Sequence, residues 1–523
     1  MADIPAPATN SLPSRSGGLA IAASIVAFGF LGSRLLGILR SIVIAKTFGS
    51  GPEIDAYVVA FRIPDLIFQV LAGATLGSAF IPVFARIVMR EGDERAWQLA
   101  SKVLNLVTVS TAVLALLAFI FAPVLVPLTA PDLVLPGKAI FLTRLMLLSP
   151  LLFAVSGMLT GILNGRQHFF LPALAPMLYN LAIIFGAIFL SGPFGIEGLA
   201  IGVVVGAGLH LLVQIPGLIH ERMHYSPSLD TKDPAVREVG RLMGPRVIGL
   251  AATQFNFFVG IYFGSQLAKG TIGNLNYAWI IAQLPTALFG AALSTAVFPR
   301  LAGHVAGDDM ESLYLTVSRV LRVIMFLTIP AAIGLAMLRH PATVLLLERG
   351  AFTHADAIVV ASALGFYALG IVPQAGIEIH SRGFYALGDT RTPVTFAVGA
   401  VILNFILSAL LWRPYGVEGL AFSVSASSWA EWTLLYFFYA RRTQASITGD
   451  LTAIAKFAFC GAVMALFLAI AFAPFGTETR IQEAVIAIAG SAAGLVVYVA
   501  MANWLGIEEL REATTRIRAR FGR

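Results

Sequence analysis

Cysteine is nearly absent: Cys460 is the only one in 523 residues, and it sits inside an apolar block. No disulfide framework and no cysteine-built metal cluster can come from it. Charge is scarce as well. Charged residues make up 12% and hydrophobic residues 58%, against roughly 25% and 45–50% in soluble proteins. A soluble chain this long would split into several domains, and there are too few charges to cover their surfaces. A Walker loop, histidines at metal-ligand spacing and a nucleophile, base and orienter set are all missing, which argues against ATP hydrolysis and against an enzyme. The alternating ten-residue pattern of an outer-membrane barrel is missing too. The net charge of +7 is scattered between apolar blocks, so nucleic acid is not an expected partner.

What the sequence does have is apolar blocks of about 20 residues, the length that crosses a hydrocarbon core of roughly 30 Å. Backbone amides in lipid must pair within their own segment, so these blocks are helices. The expected fold class is an all-α polytopic membrane protein with about fourteen transmembrane helices. The spans lie near 18–47, 54–84, 98–126, 138–164, 169–191, 196–220, 244–268, 273–300, 314–338, 356–382, 393–412, 416–440, 452–474 and 482–505. The first block is too long for the core of a cleavable signal and reads as a retained span. Cations gather in alternate connections: Arg86, Arg90, Arg95 and Lys102; Arg166; Arg222, Lys232, Arg237 and Arg241; Arg300; Arg382 and Arg391; Arg441 and Arg442. The positive-inside rule puts these connections, and both termini, in the cytoplasm.

The chain also repeats itself. Phe194-Gly195-Ile196-Glu197-Gly198-Leu199-Ala200 recurs as Tyr415-Gly416-Val417-Glu418-Gly419-Leu420-Ala421, a shift of 221, which also carries Pro172 onto Pro393. Ser101-Lys102-Val103-Leu104 recurs as Ser318-Arg319-Val320-Leu321 at a shift of 217. Six spans per unit is an even number, so the units are parallel repeats, an arrangement that encloses a central cavity and works by rocking. The expected organisation is a tail over 1–17, a six-helix lobe over 18–220, a linker over 221–243, a second lobe over 244–440, two additional helices over 441–505 and a basic tail over 506–523.

Charges inside the spans are the candidate functional residues. An arginine near the bilayer centre costs roughly 2.5–3.5 kcal/mol on insertion scales, so each needs a partner or a wet cavity. Arg34 and Arg40 of the first span are six residues apart, about 9 Å along a helix, and both can reach one diphosphate. Snorkelling to an interface or pairing with an acid is the competing account. The second span adds Asp55, Arg62 and Asp65. Arg62 is open to a role in substrate binding or to an intrahelical pair with Asp65. Asp55 is open to a transport role or to sitting at the positive end of a helix. Pro64 should kink the helix beside Arg62. Glu378, Glu431, His210 and Arg246 also fall at membrane depth, where ion coupling and pairing between helices compete. Gln254, Asn256 and Gln283 are open to lining the cavity or to polar packing between helices, and packing is the expected role.

Taken together, several motifs resemble the MurJ (MviN) family of lipid II flippases, within the larger group of polysaccharide and drug exporters. They are Ser33-Arg34-Leu35-Leu36-Gly37 with Arg40; Phe48-Gly49; Asp55-Ala56; Ala60-Phe61-Arg62-Ile63-Pro64; Ala79-Phe80-Ile81-Pro82; Gly161-Ile162-Leu163-Asn164 with Pro172 and Pro176; and Gly383-Phe384-Tyr385-Ala386 through Asp389-Thr390-Arg391-Thr392-Pro393. The resemblance covers nearly the whole chain. It implies two six-helix lobes around a cationic cavity, a hydrophobic groove at the last two helices, and alternating access in a bacterial inner membrane. It also implies a diphosphate-sugar headgroup held by arginines, with the polyprenyl tail left in or near lipid. Arg34, Arg40, Arg62 and Asp55 are carried over as substrate-binding residues. Where the family has an arginine, an acid and a second arginine, this chain has Phe68, Gly73 and, near the third position, Ile280.

The expected function is therefore translocation of lipid II from the cytoplasmic to the periplasmic leaflet. Its partners are lipid II or a similar polyprenyl-diphosphate glycan, membrane lipids and cell-wall synthesis enzymes. The alternatives are export of another such glycan, or a non-transporting scaffold that binds precursors. No cofactor is expected, and coupling to the membrane potential or to an ion is left unassigned.

Overall fold

The computed structural model of the chain describes residues 16–71, 74–444, 448–472 and 479–521. Every regular element among them is a helix. The first half runs α1 (Ser16–Phe48), α2 (Pro52–Leu71), α3 (Ala74–Glu91), α4 (Asp93–Thr129), α5 (Pro136–Met146), α6 (Leu148–Gly165), α7 (Phe170–Phe185), α8 (Ser191–Phe194), α9 (Ile196–Leu212) and α10 (Ile215–His220). After a linker come α11 (Pro234–Gly264), α12 (Thr271–Pro285), α13 (Ala292–Ala306), α14 (Met310–Met337), α15 (Arg339–Leu347), α16 (His354–Ala368) and α17 (Ile371–Ala386). The chain closes with α18 (Arg391–Arg442), α19 (Thr448–Phe472), α20 (Arg480–Trp504) and α21 (Glu508–Phe521).

Each of the fourteen apolar blocks falls on one of these helices or on consecutive ones. Ten helical segments among the described residues are long and apolar enough to cross a bilayer, and the bent pair α16–α17 makes eleven. That count takes α18 once, although Gly416 breaks it into two arms at φ 55°, ψ −130°. The block at 54–84 is divided between α2 and α3, and the block at 244–268 lies mostly within α11. Leu116, Ile120 and Val124 of α4 and Leu466 and Ile470 of α19 are exposed, a surface suited to lipid and not to water.

The sequence repeat is a repeat of backbone geometry. Gly195 (φ 58°, ψ −138°) makes the same left-handed turn as Gly416, a conformation that glycine adopts at no steric cost. Three residues on, a Cβ on Gly198 would stand 2.4 Å from the Leu190 carbonyl oxygen, and one on Gly419 would stand 2.5 Å from that of Leu411. Only glycine lets the chain fold back on itself so tightly. Gly202 and Gly206 likewise press α9 against Ala182 and Tyr179 of α7.

Ion pairs gather the connections on two opposite faces. On the linker face Arg166 meets Asp93 at 2.6 Å and Glu221 at 3.6 Å, and Lys102 meets Asp230 at 3.1 Å. On the far face Lys138 meets Glu53 at 2.7 Å and Glu197 at 3.8 Å. The far face is also where the two repeat units share a core. Ile44, Ile54 and Tyr57 belong to one buried cluster with Ile272, Tyr277, Leu347 and Phe352. A separate cluster joins Leu321 and Met325 of α14 to Phe457 of α19 and Tyr498 of α20.

Candidate substrate cavity

Glycine at positions 29 and 32 lets α1 lie against Ala173 and Met177 of α7. Arg34 and Arg40 both line a cavity of about 760 Å³, together with Gln69, Asn164, Tyr179, Asn180 and Gln283. The guanidinium carbon of Arg34 stands 5.2 Å from the Phe30 ring centroid. Among the described residues no carboxylate lies within ion-pair distance of either arginine. The cavity reaches Phe169 and Pro172 at the linker-face turn.

α2 continues as a helix through Pro64 and brings Arg62 to a second place. Its guanidinium donates to Asn276 Oδ1 at 3.0 Å and lies 4.0 Å from the centroid of the Phe257 ring. Arg62 Nε is buried without a hydrogen-bond partner. The intrahelical pair with Asp65 is not made at ion-pair distance: Arg62 is taken by Asn276 of α12 and Phe257 of α11, and Asp65 accepts a hydrogen bond from Gln254 of α11 at 3.1 Å. Arg62 lines a cavity of about 390 Å³ with Asn256, Asn276, Gln283, Gln374 and Glu431, and shares a smaller one of about 210 Å³ with Arg40.

Asp55 is not brought to these cavities. Its two carboxylate oxygens accept the backbone N–H groups of Gly270, at 2.7 Å, and Gly273, at 2.8 Å. It thus caps the N-terminus of α12, where orphan donors and the positive end of the helix dipole favour a carboxylate. The helix is not its own; the capped end lies more than two hundred residues away. Around this cap, Ser50 donates to the Gly270 carbonyl at 3.0 Å, Tyr277 to the Gly49 carbonyl at 3.1 Å, and Ala351 N–H to the Lys46 carbonyl at 2.8 Å. These contacts tie the end of α1 and the start of α2 to α12 and to the turn before α16 on the far face.

The remaining membrane-depth residues sort themselves by partner. Glu378 pairs with Arg382 one turn along its own helix, not with another helix. His210 is 2.5 Å from Ser156 Oγ in a network that runs through Gln214 to Thr160. Gln254, Asn256 and Gln283, expected to pack between helices, all line the cavity around Arg62; Asn256 also takes a hydrogen bond from Asn404 at 3.0 Å. Glu431 lines that cavity with no ion-pair partner among the described residues. The Arg246 side chain and Gly73 lie outside the described residues. Phe68 packs against Phe153 at 4.8 Å, and Ile280 lines the Arg34 cavity as an apolar side chain.

Sequence reasoning passed over Asn276 and Trp279. Trp279 lines all three cavities. The signal was present: Asn276, Trp279 and Gln283 stand at i, i+3 and i+7, one polar and aromatic stripe on an otherwise apolar span. Chemically, the arrangement offers two guanidinium groups outside ion-pair distance of any described carboxylate, next to a hydrogen-bonding chamber lined by carboxamides, Arg62, Glu378 and Glu431. It suits an anionic headgroup with a polar extension.

Comparison with known proteins places this geometry. A model of the family described as "Lipid II flippase MurJ" matches residues 44–494. The chain is 31% identical over 415 residues to the lipid II flippase MurJ of Burkholderia cenocepacia, covering 77% of this chain and 80% of that one. It is 28% identical over 452 residues to a probable lipid II flippase MurJ of Rickettsia prowazekii, covering 85% and 89%. A solved lipid II flippase MurJ in an inward closed conformation superposes with a TM-score of 0.79 at 25% identity, over 92% of this chain and 98% of that one. An inward-facing multidrug transporter of the MATE family shares the fold, with a TM-score of 0.64 at 17% identity over 81% and 98%.

Proposed function

The chain belongs to the lipid II flippase MurJ family, and from that premise we propose how this multi-pass protein of the bacterial inner membrane moves its substrate. It is a transporter and not an enzyme, and it carries lipid II, the lipid-linked precursor of peptidoglycan, by alternating access.

The observation that carries the reading is the pair Arg34 and Arg40: one helix, one cavity, and no carboxylate partner among the described residues. Two such guanidinium groups suit a diphosphate, which accepts paired hydrogen bonds from their planar forks. Arg62, reached through the smaller cavity that it shares with Arg40, adds cationic character on the side where Phe68 and Ile280 supply none. In this reading the linker face and both termini are cytoplasmic, as the cations of the connections favour. The sealed far face is periplasmic. The headgroup enters past Phe169 and Pro172, settles at Arg34 and Arg40, and leaves when the seal around Asp55 opens. The polyprenyl tail stays in lipid. The seal combines a few hydrogen bonds, each worth about 0.5–1.5 kcal/mol net, with the apolar core that the two units share on this face, and both part in every cycle. The membrane potential or an ion gradient supplies the drive, since the sequence has no nucleotide-binding loop; transport that persists after the potential and ion gradients are collapsed rejects this part.

Export of another polyprenyl-diphosphate glycan is favoured by one feature: where the family has arginines, this chain has Phe68, packed against Phe153, and Ile280, an apolar side chain lining the Arg34 cavity. Complementation of a strain depleted of its own lipid II flippase separates the two. Wild type restores growth, whereas Arg34→Ala and Arg40→Ala, present in the membrane at equal level, do not. Wild type that is well expressed yet fails to rescue points to the other glycan. Rescue by both alanine variants removes these arginines from the site.

A further inference from the structure

We infer that the chamber around Asn276, Gln283 and Gln374 is a subsite for the neutral part of the headgroup, the acetamido, hydroxyl and peptide-amide groups, and that Trp279 is the platform joining it to the diphosphate site. The inference rests on the flippase reading and adds a division of labour within the cavity.

The chemistry of the lining is the first argument. Six carboxamide side chains, Gln254, Asn256, Asn276, Gln283, Gln374 and Asn404, line the chamber of about 390 Å³. A carboxamide offers a donor and an acceptor without charge. It matches hydroxyls, N-acetyl groups and peptide bonds, and it matches a diphosphate poorly. Three of the six are committed within the protein: Asn404 donates to Asn256 and Gln254 to Asp65. The other three are available. Asn276 uses only its oxygen, to accept from Arg62. Gln283 and Gln374 have no side-chain hydrogen bond among the described residues, yet neither has an amide atom that is fully buried and unpaired. Their hydrogen-bonding atoms therefore open onto the chamber.

Charge is the second argument. The chamber's charged lining is mixed: Arg62 at the end towards Arg40, with Glu378, which pairs with Arg382, and Glu431, which has no ion-pair partner among the described residues. Arg34 and Arg40 line the larger neighbouring cavity. The two ends of the site thus differ in what they accept.

Connectivity is the third. In a polyprenyl-diphosphate glycan the first sugar is bonded directly to the diphosphate, so a sugar subsite must adjoin the phosphate site. Trp279 and Gln283 line both cavities. The indole is held edge-on by Phe257, at 5.7 Å between ring centroids, and by Tyr367, at 5.4 Å. An indole fixed in this way is a rigid, apolar and aromatic wall against which the C–H face of a sugar ring can stack.

Binding in nanodiscs to two probes tests the division: polyprenyl diphosphate without a sugar, and lipid II. Wild type should hold lipid II about tenfold more tightly than the bare diphosphate lipid, the effect of one or two added neutral hydrogen bonds. Asn276→Leu/Gln283→Leu/Gln374→Leu should lose that preference, and Gln374→Leu, whose side chain lines the chamber and not the Arg34 cavity, should reduce it and keep its affinity for the bare lipid, whereas Arg34→Ala/Arg40→Ala should weaken both. Should the triple variant fail to fold, Gln283→Leu alone should reduce the preference about threefold. A triple or single variant that keeps the full preference, or a wild type that binds both lipids equally, overturns the subsite and leaves the flippase reading standing. Wild type that binds neither lipid overturns both.

Discussion

Asp233 and Asp450 stand 217 positions apart, the shift that carries Ser101 onto Ser318, and each is gripped by the corresponding helix of its repeat unit. Asp233, the N-cap of α11, takes two hydrogen bonds from Arg95, at 2.8 and 2.9 Å, and one from Lys102 at 2.9 Å, both on α4. Asp450, in the first turn of α19, accepts from Ser318, from Arg322 at 2.9 Å and from Tyr314 at 2.9 Å, all on α14. After each unit, the helix that follows is therefore docked by one aspartate onto the unit just completed. The correspondence extends one contact beyond the twelve spans in which the sequence shows it.

Asp450 is buried, and exchanging its carboxylate for an amide removes the charge that pairs with Arg322 and one acceptor oxygen. Asp450→Asn should destabilise the docking of α19 by about 1–3 kcal/mol. The check is the thermal midpoint in detergent together with protease sensitivity near residues 443–448. An unchanged midpoint and cleavage pattern would show that the apolar contacts of α19 suffice alone.

The hydrogen bonds from Arg95, with Lys102 beside it, hold the Asp233 carboxyl well below its ordinary value of 3.8. A depressed carboxylate contributes stability that is fully present above the unfolded value, about pH 4, and is lost as pH falls through the folded one. Pepsin should therefore spare the linker at pH 4 and cut it progressively at lower pH. In Asp233→Asn the linker should become sensitive to trypsin at Arg222 and Lys232 even at neutral pH.

Asp55→Ala removes a cap that satisfies two buried N–H groups. Caps are worth about 0.5–2 kcal/mol, so the open population of the far-face seal should rise roughly 2- to 30-fold. Cys460 is the only native thiol, so Asn276→Cys in a Cys460→Ser background gives a clean probe. Its labelling from the periplasm by an impermeant maleimide should accelerate in Asp55→Ala and less so in Asp55→Asn.

Arg62 makes one hydrogen bond, to the neutral side chain of Asn276, and a ring contact with Phe257, while its buried Nε gains no hydrogen bond, so a flexible apolar side chain can replace most of what it contributes to folding. Arg62→Met should keep its thermal midpoint within a few degrees and bind lipid II about tenfold more weakly. Collapse of the fold would instead identify the contacts to Asn276 and Phe257 as structural.

Gly198→Ala and Gly419→Ala should each cost about 1–3 kcal/mol, since each new methyl would meet a backbone carbonyl that cannot move aside. Gly208, with open space around its Cβ position, is the control, and Gly208→Ala should be neutral or slightly stabilising. Thermal midpoints of the three variants decide it.

Much of this was legible from the residues. The bilayer imposes a span length, so apolar runs marked the helices without reference to their packing. Gly195-Ile196-Glu197-Gly198 and its copy announced a repeat that the backbone dihedrals reproduce. Arg34 and Arg40 on one span were open to a wet cavity, to snorkelling or to an acid partner, and the structure sets both against a cavity. The partners of single side chains were not legible. Spacing left Arg62 open to a pair with Asp65 or to a cavity role, and only packing shows that Asn276 and Gln254, from distant helices, are their hydrogen-bond partners.

The sequence by itself determined what depends on local order: helix length, orientation signals, repeat symmetry and family. Tertiary structure decided which polar groups face the cavity and which are consumed in holding helices together. Asp55 shows why. Its acceptor role is directed at N–H groups 215 and 218 residues away, and no local pattern encodes which helix end a carboxylate will meet. Only the packing of one repeat unit against the other brings that end within hydrogen-bond distance, and the same packing sets Trp279 where three cavities join.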